Sequence, residues 1–480
     1  MDMSPALVPV IGLEIHVQLK TATKLFCGCS AKFGDEPNSN VCPVCLGHPG
    51  ALPVLNKKAI DFAILLGIAC NSTISGKSLF ERKNYFYPDL PKGYQISQLE
   101  KPVCLGGYIF AGDKKIALNR IHVEEDAGKS IHLPDGTTAI DLNRSGVPLL
   151  EIVTEPVICS AAEAVEFLSS LRTIVRYLDI CDGNMEEGSL RCDANVSVMP
   201  AGSGILGVKT EIKNMNSFRN TEKAINFEIE RQTELILDGG KVTQETLLWD
   251  PDSGSARIMR SKEESNDYRY FPDPDLVEFS ISGEWAEKLK MIMPEMPRAR
   301  FDRYVKDHSL SPYDAGVITQ SRELADFYEA VASITSDFKS SANWIMTDVL
   351  RLLNERKITV NQFPVPPEEI ASLINMINSG EISNKIAKMV FDEIADSGEK
   401  AADLIERKNL RQISDSAGLE KMIEEVIARH PAQAEEFRAG KEKVFGFFIG
   451  QIMKESRGKA NPKLVNIILS GKLGKSAVGD

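Results

Sequence analysis

No stretch of the 480-residue sequence reaches the roughly 18 uninterrupted apolar residues that a membrane-spanning helix needs, so no membrane association is expected. Met1 to Leu13 lacks a basic cluster, contains the acid Asp2 and runs straight into an alternating segment. That pattern argues against a signal or transit peptide and makes a cytoplasmic location the expectation. Positive charge is the scarcer sign, with 56 Lys and Arg against 68 Asp and Glu and a net charge of −12. This argues against a uniformly basic nucleic-acid binder, yet leaves room for a local basic surface. A P-loop is also missing. Gly76-Lys77-Ser78, Gly128-Lys129-Ser130 and Gly474-Lys475-Ser476 resemble its end, but the required first glycine would fall at Asn71, Val123 and Leu469. No G-x-G-x-x-G follows a strand, so any nucleotide would have to bind on a sheet. Neither a Gly-rich Ser-Ser segment nor a Cys/His pair places a nucleophile beside a base.

What is present begins with length and composition. A chain of this size calls for two or three domains, and 43% hydrophobic with 26% charged residues is the balance of a soluble folded protein. The nine cysteines are odd in number, which with no export signal favours a metal site plus free thiols over a disulfide framework. Cys27-x-Cys29 is followed twelve residues later by Cys42-Pro43-Val44-Cys45, flanked by the turn formers Gly28, Pro43 and Gly47. Two such pairs can close a tetrahedral zinc site that is structural, because all four positions are filled by protein. The alternative is four unpaired thiols, although buried cysteines ordinarily scatter.

From Val8 to about Met293, short alternating segments broken by Gly, Pro and Asn predict an antiparallel-sheet domain, with one clear helix over about Ala161 to Tyr177. At Met293-Pro294-Glu295-Met296-Pro297 the pattern turns helical. The fold class expected is α+β, with a sheet domain at 1–293, a helical domain at 294–407 and a helical tail at 408–480. Ser311-Pro312 and Asn461-Pro462 read as cap-and-proline helix starts. Further helices are expected over Ser321 to Ser333, Ala342 to Glu355 and Glu368 to Asn378, the last two separated by Pro364, Pro366 and Pro367. In the tail, Arg438, Lys441, Lys443, Lys454, Arg457, Lys459 and Lys463 outnumber Glu436, Glu442 and Glu455, which fits either an RNA backbone or a plain surface helix pair.

Several strand-like segments place polar residues on alternate positions, and alternate positions share a face. Glu14, His16 and Gln18 alternate with Leu13, Ile15, Val17 and Leu19. Arg120, His122 and Glu124 alternate with Ile121 and Val123, with Glu125 and Asp126 following. Glu151, Val153 and Glu155 alternate with Leu150 and Ile152. Arg191, Asp193, Asn195 and Ser197 alternate with Cys192, Ala194, Val196 and Val198, and Lys209, Glu211 and Lys213 then flank Ile212. Any one of these is an ordinary solvated sheet face. Side by side they would form a charged cradle whose carboxylates and imidazole suit Mg²⁺, with Arg82, Lys83 and Lys92 as candidates to meet phosphate.

Nine segments, in order and spacing, resemble the B subunit of the tRNA-dependent amidotransferases. They are VIGLEIHVQL from Val10, the cysteine quartet, ERKNYFYPDLPKGYQISQ from Glu81, RIHVEEDAGKS from Arg120, NRSGVPLLEIVTEP from Asn143, EGSLRCDANVSV from Glu187, KNMNSF from Lys213, RSKEESNDYRYFPDPDL from Arg260 and GFFIGQIMKESRGKANP from Gly446. The resemblance implies an ATP-using subunit that phosphorylates the side-chain carboxylate of Glu or Asp on a mischarged tRNA. An amidase-type A subunit would supply ammonia, and a small C subunit would complete a heterotrimer. By the same resemblance, Glu14, His16, Glu125 and Glu151 are the Mg²⁺ and phosphoryl-transfer set, with Glu124 a near alternative. Lys83 and Lys92 would meet phosphate or the aminoacyl end, and Glu187 and Arg191 would border that pocket. Cys27, Cys29, Cys42 and Cys45 match the family's zinc ligands, and the helical tail matches its tRNA-contacting module. Val157 departs from the family pattern, which commonly has an acid there.

Overall fold

The computed structural model describes residues 6–261, 268–412, 416–456 and 459–474. Part of the segment from Arg260, together with Arg457, Lys475 and Ser476, lies outside the described residues. Two compact units, Met1–Pro297 and Arg298–Asp480, divide the chain.

The first unit is built on a ten-stranded sheet. At its centre, Leu7–Gln18 lies between Pro148–Thr154 and Leu190–Pro200, and Lys114–Glu125 follows Pro148–Thr154. Period-2 patterning explains why these segments pair as they do. Leu13, Ile15, Val17, Ile121, Val123, Leu150, Ile152, Cys192 and Ala194 are all buried in one core. That core also takes in Ile60, Phe62 and Leu66 of the helix Lys57–Ala69, Phe167 and Leu171 of Ala161–Tyr177, and Ile225 of Phe218–Leu237. The polar residues of the same strands are left on the opposite face.

The sheet departs from the antiparallel expectation at one pair: Thr210–Lys213 and Glu245–Asp250 run parallel. The helix Phe218–Leu237 lies between them in sequence, and a helical crossover returns the chain in the same direction. A separate three-stranded sheet joins Glu81–Asn84 to Tyr94–Ser97 and Phe271–Pro272.

The helix Ala161–Tyr177 occupies the expected span because Ser160 Oγ accepts the Glu163 N–H at 3.1 Å, satisfying one of the free donors of its first turn. Phe167 on this helix is fully buried. Phe167→Ala is expected to destabilise the unit by about 3–5 kcal/mol through lost burial and a residual cavity, read from chemical denaturation.

The second unit is helical. Ser311 caps Pro312–Ile318 and Ser321 caps Arg322–Thr335 as their sequences indicate. The helix expected over Ala342 to Glu355 starts earlier, because Asp337 accepts the Ser340 N–H at 3.0 Å and caps Phe338–Trp344. It then widens into a π-turn at Ile345–Val349 before continuing as Leu350–Arg356. Pro367 opens Pro367–Asn378 at a position where no N–H is missed. Two hydrophobic cores occupy this unit, one drawn from Tyr304 to Ile405 and the other from Leu419 to Leu473. Among the described residues no helix is long and apolar enough to cross a membrane.

Candidate active site and metal centres

Antiparallel register aligns Arg191, His16, Glu151 and His122 across four neighbouring strands. Because these positions share parity, the side chains stand on the polar face. His16 Nε2 lies 3.2 Å from Glu124 Oε1 and 3.4 Å from Glu151 Oε2. His122 backs the group, with Nε2 3.3 Å from Glu151 Oε2, and Ser97 Oγ donates to Glu124 Oε2 at 3.1 Å. Burial by itself would lower the basicity of His16, but its bonds to Glu124 and Glu151 outweigh burial and push it up to about 10. His122 is raised for the same reason. Burial would raise Glu124 and Glu151; the two imidazoles instead hold both well below the usual carboxylate range.

His16, Glu124 and Glu151 each offer one ligand atom, and these atoms lie within 4.8 Å of one another. One imidazole and two carboxylates form a hard, oxygen-rich donor set that leaves room for water or phosphate oxygens, which fits a divalent cation.

Lys83, on Glu81–Asn84, faces this cluster. Burial would lower it, yet Glu124 first, then Tyr270 and Glu151, hold it above its ordinary value. Its Nζ sits 4.8 Å from the centre of the Tyr268 ring. Arg82 is committed elsewhere, donating to Asp273 at 2.8 Å and Asp275 at 2.9 Å.

The remaining expected residues divide. Glu14 shares the polar face, accepts from Asn195 Nδ2 at 3.1 Å, and is raised by burial and then by Glu151. Beyond it Lys213 pairs with Asp193 and Glu211. Arg191 is turned to Asp126 at 2.8 Å, which Arg144 also approaches at 3.4 Å. Glu187 is exposed in the turn that follows Asn184. Glu125 does not join the His16 cluster: its carboxylate pairs with Lys92 and accepts the Ile96 N–H at 2.9 Å. Adjacent residues on a strand point to opposite faces, so Glu124 and Glu125 cannot both serve the same cluster from regular backbone. Glu125 and Lys92 instead line a cavity together with Lys24, Cys45, His48 and Gly146.

Sequence reasoning left His122 out of the ligand environment, although its parity with Glu124 was a usable signal. Ser97 and Lys24 carried none, since their positions depend on packing between distant segments.

The four sulfur atoms of Cys27, Cys29, Cys42 and Cys45 also lie within 4.8 Å of one another. The Cys42–Cys45 turn is closed by Leu46 N–H to Cys42 O at 3.0 Å and His48 N–H to Pro43 O at 2.9 Å. The nearness of the Cys45 sulfur, and then burial, raises the Cys27 thiol; the same pairing lowers Cys45 to about 4 against the effect of burial, and burial lifts Cys29 to about 11. Between Lys32 and Lys58 the only buried residue is Cys45. A segment with so little apolar burial needs a cross-link to hold one shape, and four converging thiols fit a tetrahedral zinc.

A buried acid–imidazole cluster on the polar face of a sheet, joined in one unit to a four-thiol knuckle and followed by a helical unit, defines an α+β protein with a sheet-borne catalytic domain. The family models agree and go further: residues 9–287 match the GatB/GatE catalytic domain and residues 326–473 match the GatB domain. The chain belongs to the GatB family. It is 55% identical to the B subunit of the aspartyl/glutamyl-tRNA(Asn/Gln) amidotransferase of Trichlorobacter lovleyi, covering 97% of this chain and 99% of that protein. The B subunit of the same name from Geobacter sulfurreducens is 56% identical over 97% of this chain and 98% of its own length. That from Prosthecochloris aestuarii is 52% identical over 98% of this chain and 99% of its own.

Proposed function

We propose that this chain is the B subunit of an aspartyl/glutamyl-tRNA(Asn/Gln) amidotransferase, a glutamine-hydrolysing carbon–nitrogen ligase of the cytoplasm. It uses ATP and Mg²⁺ to phosphorylate the side-chain carboxylate of Glu-tRNA(Gln) or Asp-tRNA(Asn). Ammonia from an amidase A subunit then displaces phosphate, giving Gln-tRNA(Gln) or Asn-tRNA(Asn), and a small C subunit completes the heterotrimer. The observation that carries this reading is the His16–Glu124–Glu151 cluster with Lys83 facing it, within the segment that matches the GatB/GatE catalytic domain.

A carboxylate is a poor acyl donor until its oxygen becomes a good leaving group, which is what phosphorylation provides. His16, Glu124 and Glu151 are the Mg²⁺ ligands favoured here, with Glu14 at their edge. When bound, Mg²⁺ supplies charge neutralisation at the phosphates. Ser97 and His122 orient the two carboxylates through the bonds described above. Lys83, partly buried, offers a positive charge to a phosphate oxygen where water screens it less than at the open surface. Lys92, held by Glu125, lies apart and is proposed to act on the ammonia-receiving or aminoacyl side. Arg191 and Glu187 border the pocket. Residues 408–480 form the tRNA-contacting module, to which Lys443, Lys454 and Lys463 contribute charge.

Because the cluster holds a proton on His16 up to about pH 10, binding of a cation must expel that proton. Below that value the neutral ligand becomes about tenfold scarcer per pH unit. The apparent Mg²⁺ affinity is therefore expected to rise about tenfold per unit between pH 7 and 9 in titration calorimetry. A flat profile would remove His16 from the ligand set.

The functional test is co-expression with A and C subunits and an amidation assay on each mischarged tRNA. ATP hydrolysis should depend on Glu-tRNA or Asp-tRNA, and the chain alone should show no glutaminase activity. ATP turnover indifferent to the charged tRNA would defeat the proposal.

A further inference from the structure

Lys24 is among the largest fully buried side chains of the protein, with 0% exposure. Its Nζ donates to two backbone carbonyls, Asn40 O at 2.7 Å and Leu142 O at 3.2 Å, and among the described residues it forms no ion pair with a carboxylate. A lysine almost never buries its charge without a partner, because leaving water costs far more than two neutral acceptors return. The anion that would balance it is not in its hydrogen-bond shell. It is the cysteine knuckle. Lys24 N–H bonds to Cys29 O at 2.9 Å, Asn40 stands two residues before Cys42, and Lys24 lines the same cavity wall as Cys27 and Cys45. Gly146 is wedged between the Lys24 chain and Cys45: a Cβ there would stand 3.5 Å from Lys24 Cδ, 3.6 Å from Cys45 Cβ and 3.8 Å from Glu125 Oε2, a carboxylate already paired with Lys92.

A divalent ion held by four thiolates carries a net charge of −2, so a buried cation beside it converts two separately costly burials into one favourable pair. We propose that Lys24 is the built-in counter-charge of the four-cysteine centre, positioned to stabilise a zinc tetrathiolate more than the metal-free knuckle. This rests on the zinc reading above. Lys24 acts through the thiolates and is a positioning residue for the metal centre, with no part in the transfer chemistry.

The role has an unusual signature, because the effects of neutralising Lys24 on the two states of the knuckle have opposite signs. With zinc bound, the neutral variant loses an attraction to a centre of charge −2; without zinc, it sheds a buried charge that two neutral carbonyls and the single Cys45 thiolate offset only in part. The experiment uses the full 480-residue chain, its zinc content by elemental analysis, its zinc affinity by competition with a chromophoric chelator, and the thermal midpoint of the metal-stripped form. K24Q keeps N–H donors for Asn40 O and Leu142 O, K24M tests the same charge loss with an apolar chain of similar length, and K24R restores the charge. The expected result is zinc affinity at least about tenfold weaker in K24Q and K24M, recovered within a few-fold in K24R, while the metal-stripped K24Q melts at or above the metal-stripped parent. Unchanged zinc affinity in the neutral variants would overturn the inference. So would a parallel loss of affinity and metal-free stability, the behaviour of a purely structural lysine. A parent chain that binds no zinc would instead overturn the zinc reading itself, a separate result.

Discussion

Glu124→Gln is expected to reduce ATP-dependent amidation about 10²–10³-fold in the assembled enzyme and to weaken Mg²⁺ binding, whereas Glu125→Gln should leave Mg²⁺ affinity unchanged. The two residues are neighbours in sequence and chemically identical, so only their placement separates them. Glu124 is within 3.2 Å of His16 and receives the Ser97 hydroxyl, while Glu125 is committed to Lys92 and the Ile96 N–H. Glutamine keeps the volume of Glu124 and its acceptor oxygen for Ser97, so the loss reports the missing charge and not a cavity. Calorimetric titration with Mg²⁺ and single-turnover kinetics with Glu-tRNA read the two effects separately. Equal Mg²⁺ affinities for Glu124→Gln and the parent would remove Glu124 from the site. A loss confined to Glu125→Gln would return the ligand role to the residue that the resemblance favoured. Because His16 and His122 carry charge that balances Glu124, the variant must also be checked by denaturation, since breaking one side of a buried charge group costs about 3–5 kcal/mol.

Cys45→Ser is the second change with a large expected effect. Elemental analysis should find one zinc per parent chain and none retained by the variant after dialysis. The first unit should lose stability on the order of 4–5 kcal/mol, the range reserved for loss of a metal or a comparable anchor. The reason lies in the segment's burial: from Lys32 to Lys58 it has no buried apolar side chain besides Cys45 itself. Its shape is set by the thiols and by bonds to distant backbone and side chains, such as Asn40 N–H to Asn143 Oδ1 at 2.8 Å. Chelation of the parent should reproduce the variant's melting behaviour. A variant that retains zinc and melts with the parent would show that the knuckle is held by its loop bonds alone.

Much of this was legible in the sequence, for reasons that are local. The spacing of Cys27, Cys29, Cys42 and Cys45 is a ligand pattern in its own right, and the structure brings all four together. Alternation of Leu13, Ile15 and Val17 with Glu14 and His16 requires a sheet with one apolar and one polar face, and that is how Leu7–Gln18 sits. Ser311 and Asn461 announced helix starts because a cap needs only a side-chain oxygen two or three residues from a free N–H.

What the sequence could not decide was register and depth. Which carboxylates meet His16 depends on how strands separated by more than a hundred residues align, and only that alignment sets Glu124 and Glu151 beside it while sending Glu125 to the other face. The parallel pair, one strand in from the edge of the sheet, follows from where a crossover helix returns the chain. Lys24 looks like any solvated lysine until the fold removes it from water. The residue types and their periods were thus fixed by the chain itself, through short-range geometry. The charges they balance were fixed only by packing, because electrostatic partners are chosen by distance in space and by the water that folding excludes.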